Sequence, residues 1–251
     1  FVPCLLCLGA GKMHPERFPW RLPQGPGHEL HKAATKNSLR NAENLLSTEA
    51  GLRCIDQLDP LGWTPLMRGS WKGSSAVVEA LLNHGASVSI ADDIGLTALL
   101  LAAQNPNLAV TRMLVKAGAD LEAKTTSCGS TPLHLATNGG HWEVIRTLIE
   151  AGANPNSLMA DGSTALLLAA ARGCGASIRE LLQGKADPTV GGRMHTPSSV
   201  PFLPLDAAVQ GGHLEAVREL IRQLGLEGCW GPTKGVRALS LAANEGHLEI
   251  L

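Results

Sequence analysis

The residues best suited to chemistry are the cysteines and histidines near the start of the chain. Cys4 and Cys7 have the C-x-x-C spacing of two zinc ligands, but no second C-x-x-C pair or suitably spaced histidine pair completes a four-ligand site. They also lack the β-α-β sequence context of a thiol redox motif. His28 and His31 are three residues apart, whereas H-E-x-x-H metalloproteases need a spacing of four. The sequence therefore predicts no metal site and no redox site here.

Other short motifs fail in similar ways. Residues 9–12 read Gly-Ala-Gly-Lys, but Met13 stands where a phosphate-binding loop needs Ser or Thr, and Leu6 stands where it needs the first Gly. No nucleophile-elbow, protein-kinase or dinucleotide-binding motif is found in the sequence. Three further histidines have no neighbouring nucleophile or carboxylate pair, namely His14, His84 and His195. We expect no catalytic residues, no cofactor and no enzymatic activity.

Composition excludes several classes of partner. The 251 residues carry 21 Lys and Arg against 22 Asp and Glu, and so balanced a chain is not predicted to bind nucleic acid. No apolar run approaches the roughly 20 residues that cross a bilayer, so we expect no direct membrane insertion. The six cysteines are scattered, which favours a reduced, intracellular setting, most simply the cytoplasm, although an organelle stays open.

A repeated pattern organises most of the chain. Its clearest copy reads Thr131-Pro132-Leu133-His134-Leu-Ala, then Gly140-His141, then Gly152-Ala153. The same frame returns at positions 64, 97, 131, 164, 203 and 237, with spacings of 33, 34, 33, 39 and 34 residues. This pattern resembles the ankyrin repeat, whose period is about 33 residues and whose signature contains T-P-L-H-x-A. The resemblance extends over residues 28–251, with a degenerate first copy at His28.

Each copy has a direct physical interpretation. The anchor Thr is an N-cap, and Pro at the next position starts a helix without losing a hydrogen bond. Glycine then ends this first helix and allows a tight turn into a second helix. One repeat cannot bury its apolar face alone, so neighbours must stack. The sequence thus predicts an all-α ankyrin-repeat solenoid of helix-turn-helix units with short β-turn fingers. The resemblance to ankyrin repeats implies that His134, His141, His213 and His247 are structural.

The pattern also sets domain boundaries and irregularities. Residues 1–27 hold five of the 15 prolines and are predicted to form an extended arm. Pro106 and Asn107 replace Gly-His, which should stop the first helix early and reshape its turn. Residues 190–201 contain an insertion that is either a contact or a tolerated surface loop. The seventh copy is incomplete at Leu251, so we expect a fragment, a longer protein or a partner that covers this end. The repeats are predicted to start near 28, 62, 95, 129, 162, 201 and 235.

The resemblance also implies where a partner would bind. Ankyrin proteins bind other proteins through the finger tips and first helices, which form a concave face. Trp63 and Trp71 fall on that face and tryptophan is enriched in binding hot spots, so with Ile94 and Leu96 they predict an apolar contact patch. Alternatively, the two tryptophans pack against the arm or the first repeat. The predicted partner-binding residues are Trp63, Trp71, Lys72, Ile94, Leu96, Gln104, Asn105, Asn138, Arg172 and Phe202.

These observations favour a non-catalytic scaffold or adaptor that binds another protein. Two alternatives stay open. The chain could be a structural subunit docked permanently in a large multi-protein assembly, including a membrane or organellar one. It could also be the recognition segment of a longer enzyme or channel.

Overall fold

The computed structural model describes residues 25–192, 202–229, 234–247 and 249–250. The chain divides into two compact units, Phe1–Pro132 and Leu133–Leu251, and each is described by itself. The helices of the first unit are α1 (Pro26–Lys36), α2 (Leu39–Leu46), α3 (Glu49–Arg53), α4 (Pro65–Lys72), α5 (Ser75–Asn83), α6 (Ala98–Gln104) and α7 (Leu108–Lys116). Those from the unit boundary onward are α8 (Pro132–Gly139), α9 (Trp142–Glu150), α10 (Ala165–Ala171), α11 (Gly175–Gln183), α12 (Pro204–Gln210), α13 (Leu214–Cys229) and α14 (Lys234–Glu245).

The anchor threonines start the first helices of their repeats, as the sequence predicts. Thr64 has an extended backbone, and its hydroxyl oxygen accepts the Met67 N–H at 3.2 Å. Thr97 and Thr164 cap α6 and α10 in the same way, at 3.3 and 3.2 Å. Each cap satisfies a backbone donor that the first helical turn leaves without an intrahelical partner.

Leucine and alanine form the core between stacked helices. In the first unit α4 packs against α1, α5 and α6, and in the second α10 packs against α11 and α12. Leu66, Leu99 and Leu166 have no exposed surface. The fully buried alanines of α6 and α10 keep the inner faces of these helices small, so neighbouring helices can approach closely.

The turn at Pro106 is reshaped, as predicted. Asn105 is extended (φ −111°, ψ 157°), as a residue before proline must be, whereas Gly73 at the matching turn has a φ of 73°. Helix α6 has seven residues, one fewer than α4 and α8 and the same number as α10. Asn107 compensates by donating its side-chain N–H to the Ser70 carbonyl at 3.0 Å, which satisfies a free carbonyl at the end of α4.

Histidines make the same kind of bond in the second unit. Nε2 of His213 lies 3.1 Å from the Ala171 carbonyl oxygen, and Nε2 of His247 lies 3.2 Å from that of Gln210. Both residues occupy the tenth position after an anchor, as does Asn107. The prediction that these two histidines are structural is therefore confirmed.

Some boundaries differ from those expected. Helix α1 begins at Pro26, inside the segment assigned to the extended arm, and most of that arm lies outside the described residues. Helix α3 is an additional helix, capped by Thr48, where a β-turn segment was expected. Helix α14 begins at Lys234, so Arg237 lies within it and is not its cap. Most of the insertion also lies outside the described residues.

The cysteines are not all reduced. Cys54 and Cys174 are free thiols, while Cys128 is half of a disulfide.

Candidate functional site

The predicted contact patch lies in the first unit, on two loops that we call the second finger (residues 54–63) and the third finger (residues 86–96). Trp63 ends the second finger and is only 6% exposed. Its indole N–H donates to Asp92 Oδ2 at 2.9 Å, and the Arg68 guanidinium lies 4.8 Å from its ring centroid. The expectation that Trp63 is exposed is wrong, because its one polar atom reaches a carboxylate on the next finger.

A buried ion pair between Asp59 and Arg68 stabilises the second finger. Oδ2 of Asp59 lies 2.6 Å from Nε and 2.5 Å from a terminal nitrogen of Arg68. Both side chains are nearly fully buried, at 3% and 6% exposure. Oδ1 of Asp59 accepts the N–H groups of Leu61 and Trp63 at 2.8 and 3.0 Å. The carboxylate therefore fixes the finger backbone and the adjacent helix α4 together.

In the third finger Asp92 binds the loop backbone in the same way as Asp59 does in the second finger. Oδ1 of Asp92 accepts the N–H groups of Ile94 and Leu96, at 3.1 and 2.8 Å. Its other oxygen takes the Trp63 indole, so one carboxylate joins the two fingers. The Ile94 carbonyl accepts the Thr126 N–H at 3.0 Å, which secures the tip from its other side. The result is a tip that holds Ile94 outward, 46% exposed.

Trp71 is the aromatic residue that remains partly accessible on this face. It lies near the end of α4 and is half-buried. Its ring centroid is 6.1 Å from that of Trp63, with the planes tilted by 60°, a geometry favourable to aromatic pairs. Buried Trp63 thus forms a rigid support on which Trp71 rests.

The other predicted residues of the first unit divide by burial. Lys72 is exposed, and Gln104 and Asn105 are half-buried beside the reshaped turn. Asn105 donates its side-chain N–H to the Leu101 carbonyl at 3.2 Å. Leu96 is 5% exposed, so the expectation that it belongs to a surface patch is wrong.

The predicted residues of the second unit are polar or buried. Arg172 donates to Asn138 Oδ1 at 3.0 Å, so these two residues bind each other. Phe202 is 5% exposed, and its backbone pairs with that of Gly192. The Arg237 guanidinium lies 5.6 Å from its ring centroid. Phe202 is therefore a framework residue and not the exposed contact that was expected.

Three residues of the finger network were missed by sequence reasoning, namely Asp59, Arg68 and Asp92. A signal for two of them exists, since both aspartates stand five positions before an anchor threonine in consecutive repeats. No spacing rule marks Arg68.

Other kinds of site were also sought among the described residues. In that part of the chain no group of three or more His, Cys, Asp or Glu could hold a metal ion. None of the helices described is long and apolar enough to span a bilayer.

Comparison with known proteins agrees with the repeat pattern. The profile of the family described as ankyrin repeats (3 copies) matches residues 30–125 and 99–191. Ankyrin repeat and KH domain-containing protein mask-1 of Caenorhabditis elegans is 32% identical over 201 residues, which are 78% of this chain and 7% of that protein. Ankyrin repeat domain-containing protein 63 of Homo sapiens is 34% identical over 180 residues, 68% of this chain and 47% of that protein.

Ankyrin repeat and SOCS box protein 3 of Bos taurus is 35% identical over 98 residues, 38% of this chain and 18% of that protein. The chain therefore spans less than half the length of each of these three relatives. Ankyrin repeats are protein–protein interaction modules. With its repeat pattern, capped helix pairs and profile match in agreement, the chain belongs to the ankyrin-repeat family.

Proposed function

We propose that the chain acts as a non-catalytic adaptor that binds another protein through the fingers and first helices of its first unit. The contact surface consists of Trp71 at its centre, with Ile94, Lys72, Gln104 and Asn105 around it. We call this set the finger face.

One observation carries the proposal, which is the support that buried Trp63 gives to half-buried Trp71. A tryptophan already held in place loses little side-chain entropy when a partner covers it. Ile94 adds exposed apolar area on a tip fixed by Asp92. Tryptophan is among the residue types that are enriched in binding hot spots.

The test begins with capture of the partner. A photo-crosslinking amino acid placed at Ile94 in the full-length protein, expressed in its native source, should give a defined crosslinked protein. The same amino acid at Leu158 is the matched control, because Leu158 is 47% exposed but belongs to the second unit. Equal crosslinking from both positions would remove the finger face as the site.

The affinity of the captured partner is then measured for purified variants. Trp71→Ala and Ile94→Ser should each weaken binding by about tenfold or more, whereas Leu158→Ser should not. Circular dichroism must show that the helices persist. Unchanged affinity in both finger-face variants would refute the proposal.

A second candidate is that this chain is the recognition segment of a longer protein. The name of the mask-1 relative includes a KH domain beside its ankyrin repeats, and the chain matches only part of each relative. Sequencing of full-length transcripts, together with the native mass of the purified protein, distinguishes this candidate from a stand-alone adaptor and from a subunit of a large assembly. We place the protein inside the cell, which imaging of the tagged full-length protein tests.

A further inference from the structure

A buried histidine joins the first repeat to the second finger. His31 lies on α1 and is only 6% exposed. Its Nε2 is 2.9 Å from the Gln57 carbonyl oxygen on the second finger, so the neutral ring donates an N–H there. Its other nitrogen, Nδ1, is buried without a hydrogen-bond partner. This arrangement suits the neutral imidazole, because a proton on Nδ1 would be a buried donor without an acceptor.

Charged and titratable groups on three elements influence His31. Asp59 belongs to the second finger, Arg68 to α4, and His28 to the same helix as His31. Burial is the strongest influence and lowers the pKa of His31 below its ordinary value of 6.5. Arg68 and His28 act in the same direction, while the Asp59 charge and the Gln57 bond oppose them.

We propose that His31 is an acid-sensitive clasp, and that its protonation in mild acid opens the contact between α1 and the second finger. This would release the first repeat (α1–α3) from the second repeat. In a repeat array each repeat contacts only its neighbours, so one interface between repeats can open without global unfolding. The first repeat is held by the packing of α1 on α4 and α5 and of α2 on α5. The clasp involves none of the finger-face residues, so it does not depend on whether that face binds a partner.

The sign of the effect follows from the direction of the pKa. Above about pH 6.5 His31 is neutral in both the closed and the open state, so the closed state keeps its full stability. Below that pH the open state binds a proton that the closed state resists. Opening therefore becomes easier as the pH falls, and no further change is expected once the closed state is protonated too.

A native thiol reports this opening directly. Cys54 is a free, half-buried cysteine at the point where α3 ends and the second finger begins. Cys174 is a free, half-buried cysteine in the second unit and serves as an internal reference. The full chain is alkylated at about pH 7.5, 6.5 and 5.5, and the labelled peptides are quantified by mass spectrometry. Acid slows alkylation of both thiols by lowering the thiolate fraction, so the readout is the ratio of Cys54 labelling to Cys174 labelling.

For the wild-type chain this ratio should rise by about threefold or more between the highest and the lowest pH. In His31→Gln the neutral side-chain amide can still donate to the Gln57 carbonyl, and the ratio should not vary with pH. The matched control is His84→Gln, because His84 is exposed at the end of α5; this variant should keep the wild-type rise.

Three outcomes would overturn the proposal: a ratio that is flat with pH in the wild-type chain, a rise of equal size in His31→Gln, or loss of the rise in His84→Gln. If His31→Gln is already open near neutral pH, its labelling ratio will be high at every pH, and the proposal still requires that this ratio not change with pH. An NMR titration of the imidazole signals in the wild-type chain is the second measurement. The clasp requires that His31 gain its proton over the same pH range in which Cys54 becomes accessible.

Discussion

One ion pair of the first unit and two ion pairs of the second unit differ in the exposure of their arginines. In the first unit Asp59 and Arg68 pair below the second finger, where both side chains are almost completely buried. In the second unit two pairs lie on successive second helices, where Arg146 bonds Glu180 and Arg179 approaches Glu219 at 4.0 Å. There each arginine side chain is about half exposed, at 50% and 49%.

This difference in burial separates an ion pair that fixes the geometry of a finger from ion pairs that contribute little to stability. Removing one partner of a buried pair leaves an uncompensated charge in the protein interior, which solvates charge poorly, and this costs several kcal/mol. An exposed pair is screened by water and salt, and its contribution is commonly below 1 kcal/mol. The fingers of the first unit should therefore tolerate charge removal poorly, while the outer helices of the second unit should tolerate it well.

Breaking the buried pair should have the largest effect. Arg68→Met removes the guanidinium from Asp59 and leaves that carboxylate buried with two backbone donors. We expect a loss of about 3–5 kcal/mol from the stability of the first unit. The measurement is hydrogen exchange followed by mass spectrometry, comparing peptides of α4 with peptides of α10.

A double variant separates the contribution of the ion pair to stability from the cost of leaving one buried charge without its partner. Asp59→Asn keeps an oxygen for the Leu61 and Trp63 N–H groups while removing the charge. Arg68→Met combined with Asp59→Asn should recover a large part of the loss, because no buried charge remains. Equal protection of α4 in the single variant and the wild-type chain would show that the pair does not hold the finger.

Removing the indole bond should have an intermediate effect. Trp63→Phe keeps an aromatic ring but leaves Asp92 Oδ2 without its indole donor. We expect a loss of about 1–1.5 kcal/mol, since a half-buried carboxylate loses one hydrogen-bond donor. Exchange should increase in the third finger, which Asp92 joins to Trp63. Trp142→Phe is the matched control, because Trp142 is 36% exposed on α9, and it should change exchange little.

The fold follows from the sequence because its determinants are local. Thr64 and Thr97 cap helices through donors three residues away, and Pro106 imposes an extended residue on its immediate neighbour. These interactions recur at a fixed period, so six imperfect copies reinforce one another. The additional helix α3 was missed because its cap, Thr48, lies outside the repeated frame.

The candidate site was predicted only in part, since its determinants are distant in sequence. Trp63 stands at a position where ankyrin proteins usually present side chains to a ligand. The orientation of its indole ring depends on a hydrogen bond to Asp92, 29 residues away. The repeat period does not predict whether an oxygen of that carboxylate is available to accept this bond. Ile94 and Lys72 were correctly expected at the surface, while Leu96 and Phe202 fill the framework.

Removing the Arg146–Glu180 pair of the second unit should have the smallest effect on stability. It tests whether a half-exposed pair contributes less than the buried pair of the first unit. The hydrogen bond from Arg146 lowers the pKa of Glu180 below its ordinary value, and this outweighs the opposing effect of burial. The contribution of the pair is therefore fully present above about pH 4.5 and is lost as the pH falls through the lowered value. Because Arg146 is half exposed, Glu180→Gln should cost at most about 1 kcal/mol, and less in 1 M salt. Hydrogen exchange of α9 and α11 measures this loss, and a cost as large as that of Arg68→Met would mean that burial does not explain how the two units differ.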